Sequence, residues 1–94
     1  MKDIIERMVE YNNPNYQLRK ASEEFQELAL VLTQKVNKPY KVNDQEIIDE
    51  IGDCEIRLAI LKEIYNKKGA VDERVAYKLG KFDKYMVNKE YKDI

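Results

Sequence analysis

From Lys2 to Tyr11 the apolar residues Ile4, Ile5, Met8 and Val9 recur at i, i+1, i+4 and i+5 among charges, a spacing that predicts a short amphipathic helix. Tyr11-Asn12-Asn13-Pro14 ends it, because Asn is a favoured N-cap and Pro is preorganised for the first helical position. A second helix is expected from Pro14 to about Lys38, with Leu18, Ala21, Phe25, Leu28 and Leu32 stepping by three and four as a bundle seam. Pro39 disfavours helical geometry at Lys38, so Asn37 to Val42 reads as a connection. Asn43-Asp44-Gln45-Glu46 fits a capping box that opens a third helix, along which Ile47, Ile51, Cys54, Leu58, Leu61 and Tyr65 keep a regular seam rhythm. Ile48, Ile56, Ile60 and Ile64 fall outside that stripe. The third helix is therefore expected to touch neighbours on more than one side, some of them in another subunit. Asn66-Lys67-Lys68-Gly69 closes it, with lysines at the negative end of the helix dipole and Gly69 suited to a left-handed position. A fourth helix, roughly Val71 to Tyr91, repeats the stripe through Val75, Leu79, Phe82 and Met86. Strand-like alternation, repeats and low-complexity segments are missing, so the pattern predicts an all-α, four-helix bundle-like fold in a single domain, residues 1–94.

Composition narrows the function classes. Charged residues make up 37% of the 94, yet the net charge is only -1, so there is no basic field to hold DNA or RNA. No apolar run approaches the ~20 residues that span a bilayer, and the charged N-terminal stretch does not resemble a signal peptide. The lone Cys54 forms no internal disulfide and reads as an apolar filler, in keeping with the reducing cytoplasm. A chain this short buries little core unaided, which favours a homo-oligomer, dimer or tetramer.

The candidate chemistry lies between Lys20 and Asp53. Glu24 and Glu27 on the second helix and Glu50 and Asp53 on the third are each spaced i, i+3, so each pair shares a helix face. Lys20, Glu24, Glu27 and Val31 form a strip just beside the apolar seam of their helix, and Glu50, Asp53 and Arg57 form a shoulder on theirs. One such pair in so charged a chain is ordinarily a solvated face. Two pairs on helices packed antiparallel bring four carboxylates together, and their mutual repulsion calls for cations. Oxygen ligands with no histidine in the chain favour Mg²⁺ or Mn²⁺ over zinc.

The run Gln17-Leu18-Arg19-Lys20-Ala21-Ser22-Glu23-Glu24-Phe25-Gln26-Glu27-Leu28, followed by Glu50-Ile51-Gly52-Asp53, resembles the ExxE…ExxD signature of MazG-like nucleoside triphosphate pyrophosphohydrolases, in the short form of phages and Gram-positive bacteria. Tyr77-Lys78-Leu79-Gly80-Lys81 extends the likeness more loosely. The resemblance implies an oligomeric, Mg²⁺-dependent enzyme that splits a (d)NTP into (d)NMP and pyrophosphate. Glu24, Glu27, Glu50 and Asp53 would hold the metal, and Glu27 is the candidate to take the proton from the attacking water. Lys20, Lys78 and Lys81 would contact phosphate oxygens, or in the case of the last two form a solvated basic strip. Where many relatives carry Lys-Asn on the last helix this chain has Lys81-Phe82, so that side-chain amide is missing. The Tyr11-Asn12-Asn13 turn is the candidate for nucleobase recognition.

Three other readings share parts of this pattern. A dUTPase or phosphoribosyl-ATP pyrophosphatase type would keep the metal site and change the substrate. A ferritin-like metal protein needs Glu-x-x-His pairs, which this chain lacks. A non-catalytic helical module would use the carboxylates to bind a basic partner.

Overall fold

The computed structural model describes residues 2–88, and these form an all-α chain. Its helices are α1 (Lys2–Tyr11), α2 (Pro14–Asn37), α3 (Asp44–Tyr65) and α4 (Ala70–Val87), with 3-10 turns at Pro39–Lys41 and Lys67–Gly69. Asn88 caps α4 through a bond from its amide to the Lys84 carbonyl, and residues 89–91 of the expected fourth helix lie outside the described residues. Contacts divide the chain between Ile64 and Tyr65 into a first unit, holding α1, α2 and nearly all of α3, and a second unit built on α4. No helix among the described residues is long and apolar enough to cross a membrane.

Local chemistry starts each helix where the sequence places its caps. Asn13 Oδ1 accepts from the Tyr16 amide at 2.8 Å, with Pro14 following at the first helical position. At α3 the capping box closes in both directions. The Glu46 amide donates to Asn43 Oδ1 at 2.9 Å, and the Asn43 amide donates to the Glu46 carboxylate at 3.0 Å. Lys35 ties the intervening connection by donating to the Val42 carbonyl at 2.9 Å, with Asp44 3.6 Å from its ammonium. In the second unit both Lys68 (φ 57°) and Gly69 (φ 73°) are left-handed, and Asn66 Oδ1 then accepts from the Val71 and Asp72 amides to start α4.

The facing sides of α2 and α3 differ from the expected stripes. On α2 the shielded positions are Gln17, Ala21, Glu24, Leu28, Val31 and Lys35, flanked by Lys20 and Phe25. On α3 they are Ile47, Glu50, Cys54, Arg57, Leu61 and Ile64. Both sets keep the seam rhythm and share Ala21, Leu28, Ile47, Cys54 and Leu61 with the expected stripes, but each is rotated from them by about half of the ~100° step between residues. Leu18 and Leu32, expected inside, are 42% and 45% exposed, and Ile51 and Leu58 are 47% and 55% exposed. Ile60, expected off the stripe, is buried. Ala21 and Cys54 stand in both the expected and the observed lines, and being small and buried they let the backbones approach closely there. Cys54 Sγ thereby reaches the Glu24 carbonyl at 3.3 Å. At the other end, buried Gln17 donates from Nε2 to the Met8 carbonyl at 2.8 Å and fixes α2 against α1. Glu24 and Glu50 consequently sit in the seam itself.

Candidate metal centre

Glu24, Glu27 and Glu50 each place a carboxylate oxygen within 4.8 Å of the other two. Glu24 and Glu27 stand one turn apart on α2, and Glu50 reaches the pair from α3, next to the close approach that Cys54 makes to the Glu24 backbone. Glu24 and Glu50 are half-buried, and each has one carboxylate oxygen sealed from solvent with no hydrogen-bond partner. Glu27 is exposed at the rim. A buried carboxylate oxygen without a donor is costly, and this cluster carries two, one on Glu24 and one on Glu50.

The electrostatics follow from this geometry. Burial pushes the Glu24 carboxyl above the ordinary carboxylate range, and the charges of Glu27 and Asp53 raise it further, against a smaller downward pull from Arg57. Glu50 is raised by burial first and then by Glu27, Asp53, Glu24 and Asp49. Burial and mutual repulsion disfavour the charged forms of Glu24 and Glu50, and a divalent ion bound between them would favour those forms. The donors are all hard oxygens, two of them unsatisfied, so the residues present fit Mg²⁺ or Mn²⁺.

The remaining predicted site residues stand as follows. Asp53, one turn beyond Glu50, is exposed; it acts on Glu24 and Glu50 through its charge and is not one of the three converging carboxylates. Lys20, half-buried, lies one turn before Glu24 and is ion-paired at 3.3 Å with the exposed Glu23. Lys78 and Lys81 belong to α4 and are half-buried in the second unit. There Arg74 and Lys81 lie 5.1 and 5.2 Å from the centre of the Tyr77 ring, and hydrogen bonding to Lys81 with its positive charge draws the Tyr77 phenol below its usual range. Tyr11 and Asn12 line an open groove of about 420 Å³ on α1 with Ile4, Arg7 and Met8.

Arg57 carries more of the site than its place on a shoulder implies. Its Nη1 is buried without a hydrogen-bond partner, and among the described residues it forms no ion pair with Asp53. Its i, i+7 spacing from Glu50 was the available signal, since two seam positions two turns apart bring a cation into the same line as the acid. Gln17 is a second polar residue in the seam, with Oε1 buried and unpartnered. Comparison with known protein families, with characterised proteins and with solved structures finds no match.

Proposed function

We propose that this chain is a MazG-like pyrophosphohydrolase that uses Mg²⁺ or Mn²⁺ to cleave a nucleoside triphosphate into the monophosphate and pyrophosphate, working as a homodimer or homotetramer. The observation that carries the reading is the convergence of Glu24, Glu27 and Glu50 with two buried, unpartnered oxygens, from residues in the ExxE…ExxD order. A bound divalent ion supplies charge neutralisation on the phosphates and polarises a water at neutral pH. Glu24 and Glu50 hold the ion, because their sealed oxygens have no other partner. Asp53, exposed beside them, supplements the ligand set from the solvent side. Glu27, at the rim and not held in the seam, takes the proton from the attacking water. Lys20 leaves its weak surface pair with Glu23 to meet phosphate oxygens. The exposed Tyr11 ring offers the base a stacking surface beside Asn12.

The deciding experiment incubates the purified protein with a panel of nucleoside and deoxynucleoside triphosphates and Mg²⁺, then separates pyrophosphate from orthophosphate. Metal-dependent pyrophosphate release supports the reading. Orthophosphate as the only first product, or equal rates in EDTA, would overturn it.

A further inference from the structure

Each of α2 and α3 carries a second stripe, displaced by one residue from the seam they share. On α3 this outer stripe is Ile48, Ile51, Glu55, Leu58, Lys62 and Tyr65, and all six are exposed. The apolar members are 57%, 47%, 55% and 53% exposed, although the spacing of three and four is that of a helix-packing seam. On α2 the corresponding line holds Leu18, Phe25, Leu32 and Val36. A step of about 100° per residue turns the outer stripes of two antiparallel helices to the same side, while Glu27 and Asp53, three positions on from Glu24 and Glu50, turn to the other. The α2–α3 hairpin thus has an acidic face and an apolar face. An apolar face of this extent on a soluble helix pair marks an interaction surface.

The α3 stripe is its own complement when read backwards. A two-fold axis through Leu58 lays α3 antiparallel on the α3 of a second copy. Leu58 then meets its own counterpart, Ile51 meets the partner's Tyr65, and Glu55 meets the partner's Lys62, all within a fraction of a helical turn. The acid and the base are each matched twice by one symmetry operation, and apolar residues fill the positions between. A parallel pairing in register would instead put Glu55 on Glu55 and Lys62 on Lys62. Charge complementarity therefore selects both the partner and its direction.

We propose that a second copy of this chain covers the apolar face, with α3 packed antiparallel on its partner's α3 about Leu58 and Glu55 paired with Lys62 across the interface. This rests on the self-association in the proposed function, and it specifies the surface and register. It leaves the acidic face with Glu27 and Asp53 turned away from the interface.

Sedimentation equilibrium of the full chain in EDTA, without nucleotide, reads the interface independently of catalysis. The unmodified protein is expected to be dimeric or larger at about 100 µM. Glu55→Lys and Lys62→Glu, each placing like charges opposite one another twice, are expected to weaken association at least about tenfold. The combined Glu55→Lys/Lys62→Glu chain should restore it. Leu58→Cys should form an inter-chain disulfide on mild oxidation, since residues on the axis of closely packed helices come within disulfide reach. Helical circular dichroism of every variant separates lost association from lost folding. A monomer at that concentration, an oligomer indifferent to the single reversals, single reversals that the double one fails to rescue, or an oligomer whose Leu58→Cys form stays uncrosslinked would each overturn the proposal. A correctly paired dimer that releases no pyrophosphate would overturn the enzymatic reading alone, and an active monomer would overturn the interface alone.

Discussion

The Cys54 thiol donates to the backbone carbonyl of Glu24 across 3.3 Å, and this contact joins α3 to α2 beside the carboxylate cluster. Such an approach requires a small side chain on α3, and Cys54 is only 4% exposed. Burial pushes its thiol above the ordinary range, and the carboxylates around it, Glu24 and Glu50 first, add to the shift. The thiolate that reacts with alkylating agents is thus scarce. Iodoacetamide at pH 8 should label the native thiol at least ~100-fold more slowly than in urea, because reaction waits on opening of the fold. Cys54→Ala should lower stability by roughly 1–2 kcal/mol through lost packing and the lost bond. Native labelling as fast as in urea would place Cys54 outside the α2–α3 contact.

At the cluster itself, stability and activity should move in opposite directions. Glu50→Gln removes a charge at nearly constant shape from a group raised by its acidic neighbours. In EDTA the variant should melt above the unmodified protein, because a repulsion that the metal-free fold carries is removed. With Mg²⁺ it should lose at least about 10²-fold in pyrophosphate release, in keeping with the several kcal/mol a catalytic ion contributes. Mg²⁺ should raise the melting temperature of the unmodified protein more than that of the variant. Asp53→Asn should show the same signs with a smaller gain in EDTA, since Asp53 is exposed. An unchanged Mg²⁺ response in Glu50→Gln would remove Glu50 from the metal site.

The helices and their caps were legible because their determinants are local. Asn13-Pro14 and the reciprocal Asn43 and Glu46 bonds act within four residues, and α1 and α3 begin and end within about a residue of the expected bounds. The convergence of Glu24, Glu27 and Glu50 was legible for a related reason, since i, i+3 spacing fixes a face. The seam was legible in part: Ala21, Leu28, Ile47, Cys54 and Leu61 stand where expected, while Leu18, Leu32, Ile51 and Leu58 turn outward and the polar Gln17, Glu24, Glu50 and Arg57 turn in. Two parallel stripes one residue apart carry nearly the same periodic signal, and only tertiary contact decides which one faces inward. The burial of Arg57 Nη1 was hidden for the same reason.

The pH dependence of the metal-free protein should carry the signature of two raised carboxyls. In the folded state Glu24 and Glu50 keep protons that the unfolded chain, with carboxyl pKa values near ~4.3, has already released. Stability from these protons is full below the unfolded value and is lost as the pH rises through the raised folded values. The melting temperature of the unmodified protein in EDTA should therefore drop, relative to a Glu24→Gln/Glu50→Gln variant, as the pH goes from about 4 to 7. Saturating Mg²⁺ should reduce the difference at neutral pH, because metal takes the place of the protons. A gap between the two proteins that is constant with pH in EDTA would mean that neither carboxyl is raised.

The turn before α4 separates backbone cost from side-chain contact. Gly69 has φ 73°, and a Cβ added there would meet nothing within 4 Å. Its neighbour Lys68 holds φ 57° with a full side chain. Gly69→Ala should thus cost about 1–2 kcal/mol, all of it from placing an L-residue in the left-handed region. Lys68→Asn should stabilise the fold by up to about 1 kcal/mol, because Asn tolerates that region without the extra unfolded-state entropy of Gly. Both changes lie outside the carboxylate cluster, so the melting shift on adding Mg²⁺ should match the unmodified protein. Urea denaturation followed by circular dichroism measures the two effects. If Gly69→Ala is neutral, the left-handed turn between Asn66 and Ala70 is not the conformation the chain holds in solution.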